Sequence, residues 1–115
     1  MTGNEYQLAA RRTTNPALTL SEHITCGVIG LCGESGECAD AVKKWQYQGH
    51  GWVETKEKLI EELGDVLWYV AETASYIGVD LDEIMQRNKE KLERRYKEGF
   101  TVEESINRGG ENDNG

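Results

Sequence analysis

Long apolar runs are missing from this 115-residue chain, and so is most of what staples small folds together. No hydrophobic stretch approaches the roughly 20 residues a membrane span needs. The N-terminal segment MTGNEYQLAARRTTN lacks the apolar core of a secretory signal. No membrane partner is expected, and the expected compartment is the cytoplasm (the host's, if the protein is viral). Cysteine occurs three times, an odd number with no CxxC pair, against the tight paired spacing of structural zinc. His23 and Cys26 stand three residues apart, too few for a metal, so Cys26, Cys32 and Cys38 read as reduced thiols in a reducing compartment. Cations are outnumbered by acids, 13 to 21, for a net charge of −8. Non-specific nucleic-acid binding needs a basic footprint and is therefore not expected. A nucleotide remains possible as ligand if a divalent cation mediates. The two histidines, His23 and His50, have no partners for Ser-His-Asp chemistry. No ExxH motif of the kind that di-iron carboxylate bundles use is present either.

Strand alternation, internal repeats and linkers are also absent, leaving an all-α reading. Residues 4–12 form a short amphipathic pattern that ends at TTNP, with the single proline, Pro16. A second helix is predicted from about Ser21 to Tyr47, capped by Thr19 or Ser21 with Glu22 in its first turn. QGHGW, residues 48–52, breaks it. From Glu54 to Ile77, Leu59, Leu63, Val66, Val70, Ala74 and Ile77 make one stripe at three- and four-residue spacing, and Gly78 suits the C-terminus. A fourth helix runs from Asp80 to about Glu98, with Glu83 completing a capping box and Gly99 as its stop. Residues 1–100 are expected as one domain, with 101–115 a polar tail, partly disordered. Hydrophobic residues make up 37% of the chain, which implies a thin core of the kind often completed by oligomerisation.

The stretch GLCGESGECADAVKKW, residues 30–45, places Gly30, Gly33 and Gly36 inside the second helix. Each glycine costs roughly 1 kcal/mol against alanine in a helix interior. At about 100° per residue, Glu34 and Glu37 sit together beside the apolar stripe of Ile24, Val28, Leu31, Ala39 and Val42, with Gly30, Gly33 and Ala41 around them. Small residues there would let a partner helix or a ligand approach the backbone closely. On the third helix Glu62, Asp65 and Tyr69 share the corresponding side stripe, and Glu61 points further toward water. A short turn makes the two helices antiparallel neighbours, which can bring ExxE opposite ExxD. Four facing carboxylates repel one another unless cations neutralise them, and hard oxygen donors suit Mg²⁺ or Mn²⁺. Acids at helical spacing also form ordinary solvated faces, so the motif alone leaves both readings open.

Asn88 interrupts the stripe of Leu81, Ile84, Met85 and Leu92 on the fourth helix. It is either a core amide with internal partners or a residue facing a ligand. Lys91 and Arg95 flank it, able to reach phosphate oxygens or to pair with surface acids. Trp45, Trp52, Trp68 and Tyr47 could stack on a base, or serve core and subunit packing.

Glu34-Ser-Gly-Glu37 followed by Glu62-Leu-Gly-Asp65 resembles the ExxE…ExxD signature of the MazG-like all-α nucleoside triphosphate pyrophosphohydrolases. NKEKLERRY follows in order, and YQLAARRT is similar to phage and bacterial single-domain members, so the resemblance covers about residues 5–100. It implies an antiparallel bundle of about four helices, assembled as a homodimer or homotetramer. The implied reaction is Mg²⁺-dependent cleavage of an NTP or dNTP between the α- and β-phosphates, giving a monophosphate and pyrophosphate. Carried over, Glu34, Glu37, Glu62 and Asp65 match the metal ligands, and Glu34 or Glu37 is the expected general base. Asn88 and Lys91 match nucleotide contacts, with Tyr69, Arg95 and Lys44 as further candidates. Within the same superfamily, phosphoribosyl-ATP pyrophosphatase has similar acids. Outside catalysis, the rival reading is a helical regulatory or interaction module.

Overall fold

Helices are the regular elements of residues 1–108, the part of the chain that this computed structural model describes, apart from one isolated bridge between Lys97 and Gly99. Thr2 caps α1 (Gly3–Arg11), its side chain accepting from the Glu5 amide at 3.1 Å. A complete capping box starts α2 (Leu20–Tyr47): Thr19 Oγ1 accepts from the Glu22 amide, and Glu22 Oε1 from the Thr19 amide. The reciprocal bonds hold the Glu22 carboxyl below its ordinary range, the Thr19 backbone bond being the main cause. After the turn at residues 48–51, α3 runs Trp52–Tyr76. It closes in a Schellman motif, with Val79 N donating to Ala74 O and Gly78 N to Ser75 O. That motif requires the left-handed backbone that Gly78 adopts, at φ 80°. Helix α4 spans Leu81–Arg95, ending before the expected Glu98. A fifth helix, α5 (Val102–Asn107), lies in what the sequence suggested was tail, capped by Thr101. Residues 109–115, the rest of the expected tail, lie outside the described residues.

Two compact units divide the chain, Met1–Leu81 and the residues from Asp82 onward. In the first, α2 and α3 form an antiparallel hairpin. Its seam runs from the Trp45–Trp52 ring pair beside the turn, 4.8 Å between centroids, to Gly27 against Thr73 at the far end. Helix α1 covers the opposite face of α3 at its C-terminal half, where Ala10, Ala71 and Leu81 are buried with Tyr6, Trp68 and Val70 against them. Gln7 fastens this corner. Its Nε2 donates to Ser75 Oγ and Val79 O, both at 3.0 Å, and its Oε1 accepts from Leu81 N at 2.8 Å.

The apolar stripe predicted for α3 is not the face that meets α2. Ala74 is buried, but Leu63 and Ile77 are exposed, and on α2 Val28 and Ala39 are exposed as well. The hairpin closes on the neighbouring stripe instead, the one carrying Glu62, Asp65, Tyr69 and Thr73. Small residues on α2 decide this, because they let the backbones approach where larger side chains would hold them apart. Among the described residues, the buried apolar ones are four alanines and Leu81. The N-terminal half of the α3 face that α1 leaves bare shows Val53, Ile60, Leu63 and Leu67 to solvent, each more than half exposed.

The second unit carries i,i+4 pairs along α4: Arg87 with Glu83 at 2.9 Å and Lys89 with Glu93 at 3.1 Å. Tyr96 and Phe100 pack at 5.4 Å between centroids.

Candidate metal centre

Gly30 answers what a helix gains from glycine beside acids. A Cβ there would overlap the ring of Tyr69, and one at Gly27 would overlap Thr73 Oγ1. These two glycines set the spacing between α2 and α3 next to Glu34. Gly33, expected to serve the same purpose, has open space where a Cβ would be, and so does Gly36.

One turn beyond Gly30, carboxylate oxygens of Glu34, Glu62 and Asp65 lie within 4.8 Å of one another. Glu34 is half-buried, Glu62 buried and Asp65 exposed, so the cluster opens from the seam toward solvent. Glu62 is only 6% exposed. Its Oε1 pairs with Lys58 Nζ at 2.9 Å, one turn earlier on α3, while its Oε2 has no hydrogen-bond partner. A buried carboxylate oxygen without a donor is costly and calls for a proton or a cation. The Lys58 contact holds the Glu62 carboxyl below its ordinary range and raises the Lys58 ammonium. Glu34 moves the other way. Its hydrogen bond to Glu62 leads, followed by desolvation and the charges of Glu62, Asp65 and Glu37, and together they push it up to about 7. Neighbouring carboxylates raise one another in this way unless a cation neutralises them.

Glu37 is exposed and stands outside the three-carboxylate group, although its charge is felt at Glu34. It lines an adjoining cavity of about 300 Å³ with Asp40, Lys44, His50 and Lys58. Lys44 Nζ is held by Asp40 at 2.8 Å. Tyr69 stands at the seam against Gly30. Asn88, Lys91 and Arg95 belong to α4 in the second unit. Asn88 is exposed there rather than buried in the stripe, and Lys91 and Arg95 are half-buried. Arg95 lines a cavity of about 520 Å³ with Arg94, Lys97 and Arg108, and the acids Glu103 and Glu104 line it too.

Trp68 Nε1 donates to Thr13 Oγ1 at 2.8 Å, whereas Trp45 and Trp52 pair at the hairpin end and Tyr47 is exposed. His23 stacks on Tyr76 at 3.9 Å, and His50 is exposed in the turn. Sequence reasoning missed Lys58, although its place four residues before Glu62 is a readable signal. It also missed Gly27, whose role depends on the partner helix.

A family model described as the MazG nucleotide pyrophosphohydrolase domain matches residues 27–100, the stretch that holds both halves of the carboxylate cluster. The Gene 37 protein of Mycobacterium phage L5 is 39% identical over 89 residues, covering 76% of this chain and 78% of that protein. The uncharacterized protein YvdC of Bacillus subtilis (strain 168) is 36% identical over 73 residues, covering 57% of this chain and 69% of that protein. No solved structure matches. With three of the four signature acids brought together on the hairpin and the family model spanning most of the chain, the protein belongs to the MazG nucleotide pyrophosphohydrolase family.

Proposed function

We propose that the protein is a Mg²⁺-dependent pyrophosphohydrolase that cleaves a nucleoside or deoxynucleoside triphosphate between the α- and β-phosphates. The products are the monophosphate and pyrophosphate. The observation that carries this reading is the convergence of Glu34, Glu62 and Asp65, with Glu62 Oε2 lacking any donor. Three hard oxygen donors of this kind fit Mg²⁺, with Mn²⁺ as a substitute. When bound, the metal supplies neutralisation of the triphosphate and a Lewis acid at the α-phosphoryl group.

The chain's own groups divide the rest. Glu34, Glu62 and Asp65 hold the cation, and Lys58 keeps Glu62 ionised. Glu37, one turn from Glu34 and outside the three-oxygen group, takes the proton of the attacking water as general base. Lys44, Lys91 and Arg95 meet phosphate oxygens, Lys44 exchanging its bond to Asp40 for one to the substrate. Asn88 and Tyr69 contact the nucleotide. No side-chain nucleophile is required.

A second copy of the chain completes the fold as a homodimer or homotetramer, covering the bare α3 face of Val53, Ile60, Leu63 and Leu67. Neither nucleic acid nor membrane enters this reading, and the role assigned is control of a nucleotide pool in the cytoplasm. Among the described residues no helix is long and apolar enough to cross a membrane.

The test incubates the protein with NTPs and dNTPs and Mg²⁺, separating products by anion exchange, beside EDTA and Glu37→Gln controls. Monophosphate and pyrophosphate, lost in both controls, are expected. Diphosphate with orthophosphate would overturn the mechanism.

A further inference from the structure

Glu72 is the second buried carboxylate of the hairpin, 4% exposed, and nothing in the proposed reaction uses it. Its Oε2 accepts from Thr14 Oγ1, in the segment joining α1 to α2. Its Oε1 is buried and has no hydrogen-bond partner. Glu72 lines a cavity of about 180 Å³, whose other walls include His23, Cys26, Trp68, Tyr69 and Tyr76.

The walls are aromatic and held in place. His23 and Tyr76 stack at 3.9 Å with 7° between their planes. Trp68 meets Tyr69 edge to face at 5.0 Å, and its indole N–H is fixed by Thr13. Whole small ligands occupy sites of roughly 300 Å³ or more, so this cavity takes one planar ring of a larger ligand. Glu72 follows Asp65 by seven residues, which puts both on the same side of α3, roughly 10 Å apart along the axis. That is the scale of a nucleoside, with Tyr69 midway.

We infer that this cavity seats the nucleobase, and that Glu72 Oε1 selects bases presenting an exocyclic amino group. This inference rests on the triphosphate reaction proposed above. An ionised carboxylate only accepts hydrogen bonds. An amino group at cytosine C4 or adenine C6 satisfies the orphan oxygen. The carbonyl in the same position on uracil or hypoxanthine sets acceptor against acceptor, and a buried polar group left unpaired penalises the wrong ligand strongly.

The size-matched pairs dCTP/dUTP and dATP/dITP isolate that exocyclic group, and the experiment measures kcat/KM for all four with wild type and Glu72→Gln. Gln places a donor beside the ring. The wild type is expected to favour dCTP and dATP, and the variant to lower both ratios by about 10- to 100-fold. A parallel fall for all four substrates would assign Glu72 to holding Thr14 and overturn the inference. So would a wild type that prefers dUTP and dITP. No hydrolysis of any dNTP by the wild type would instead sink the pyrophosphohydrolase reading, and this subsite with it. Should Glu72→Gln lose its helical circular dichroism, Cys26→Phe fills the same cavity from an exposed position on α2. It is expected to raise KM at least tenfold for every dNTP with kcat retained, and an unchanged KM overturns the base seat.

Discussion

Lys58 Nζ lies 2.9 Å from Glu62 Oε1, a half-exposed cation on a carboxylate buried in the α2–α3 seam. The pair holds Glu62 ionised, and its other oxygen, Oε2, is buried with no hydrogen-bond partner. Lys58→Met removes the cation and leaves the carboxylate buried. The metal-free protein is expected to melt lower than wild type, with the gap narrowing at saturating Mg²⁺, because a ligand that binds only the native state stabilises it. Thermal melts of both proteins in EDTA and in Mg²⁺ check this. An equal gap in the two conditions would separate Lys58 from the cation site.

The raised Glu34 carboxyl, beside Glu62, makes metal-free stability depend on pH. Glu34 rises from an ordinary 4.5 to about 7 in the folded chain. Between those values the native state binds more protons than the unfolded state, so this group's stabilisation is complete below about 4.5 and lost as pH rises through 7. Calorimetry in EDTA from pH 5 to pH 8 is expected to show Tm falling, with a flatter profile for Glu34→Gln. Mg²⁺ competes with that proton, so its affinity is expected to increase over the same range. Parallel wild-type and variant profiles would remove Glu34 from the account.

Gly30→Ala and Gly36→Ala separate the two kinds of glycine in α2. Alanine at 30 collides with the Tyr69 ring and forces the seam apart, for a loss of about 1–3 kcal/mol. Alanine at 36 meets no atom and gains about 1 kcal/mol from helix propensity. Urea denaturation distinguishes them by opposite shifts of the midpoint. A midpoint lowered by Gly36→Ala would mean that another surface closes on this face of α2.

Leu63 and Leu67, at 53% and 52% exposed, are the leucines of the bare α3 face and serve to test assembly. A Leu63→Lys, Leu67→Lys double variant is expected to lower the mass of the wild-type species in sedimentation equilibrium to that of one chain. Its hairpin, built on the other face of α3, keeps its helical signal. A monomeric wild type would refute the second copy.

The sequence determined where the first four helices begin and how the hairpin between α2 and α3 turns. Thr19 and Glu22, Gly78 and the broken turn at 48–52 are local signals, and local geometry realises them with little help from the rest of the chain. It also determined the pairing of Glu34 with Glu37 and of Glu62 with Asp65, because i,i+3 acids share a helix face whatever that face meets. The tertiary structure alone decided which faces met. Apolar periodicity pointed to Leu63 and Ile77 as core, yet Gly27 and Gly30 let α3 approach on its acidic stripe, and the leucines were left outside. Helix α5 escaped the sequence reading because a six-residue helix has too short a period to register. Glu72 and Lys58 took their meaning from neighbours distant in sequence or hidden in a seam. Burial, which turns an ordinary carboxylate into one demanding a partner, is a property of the packed hairpin rather than of any stretch of chain.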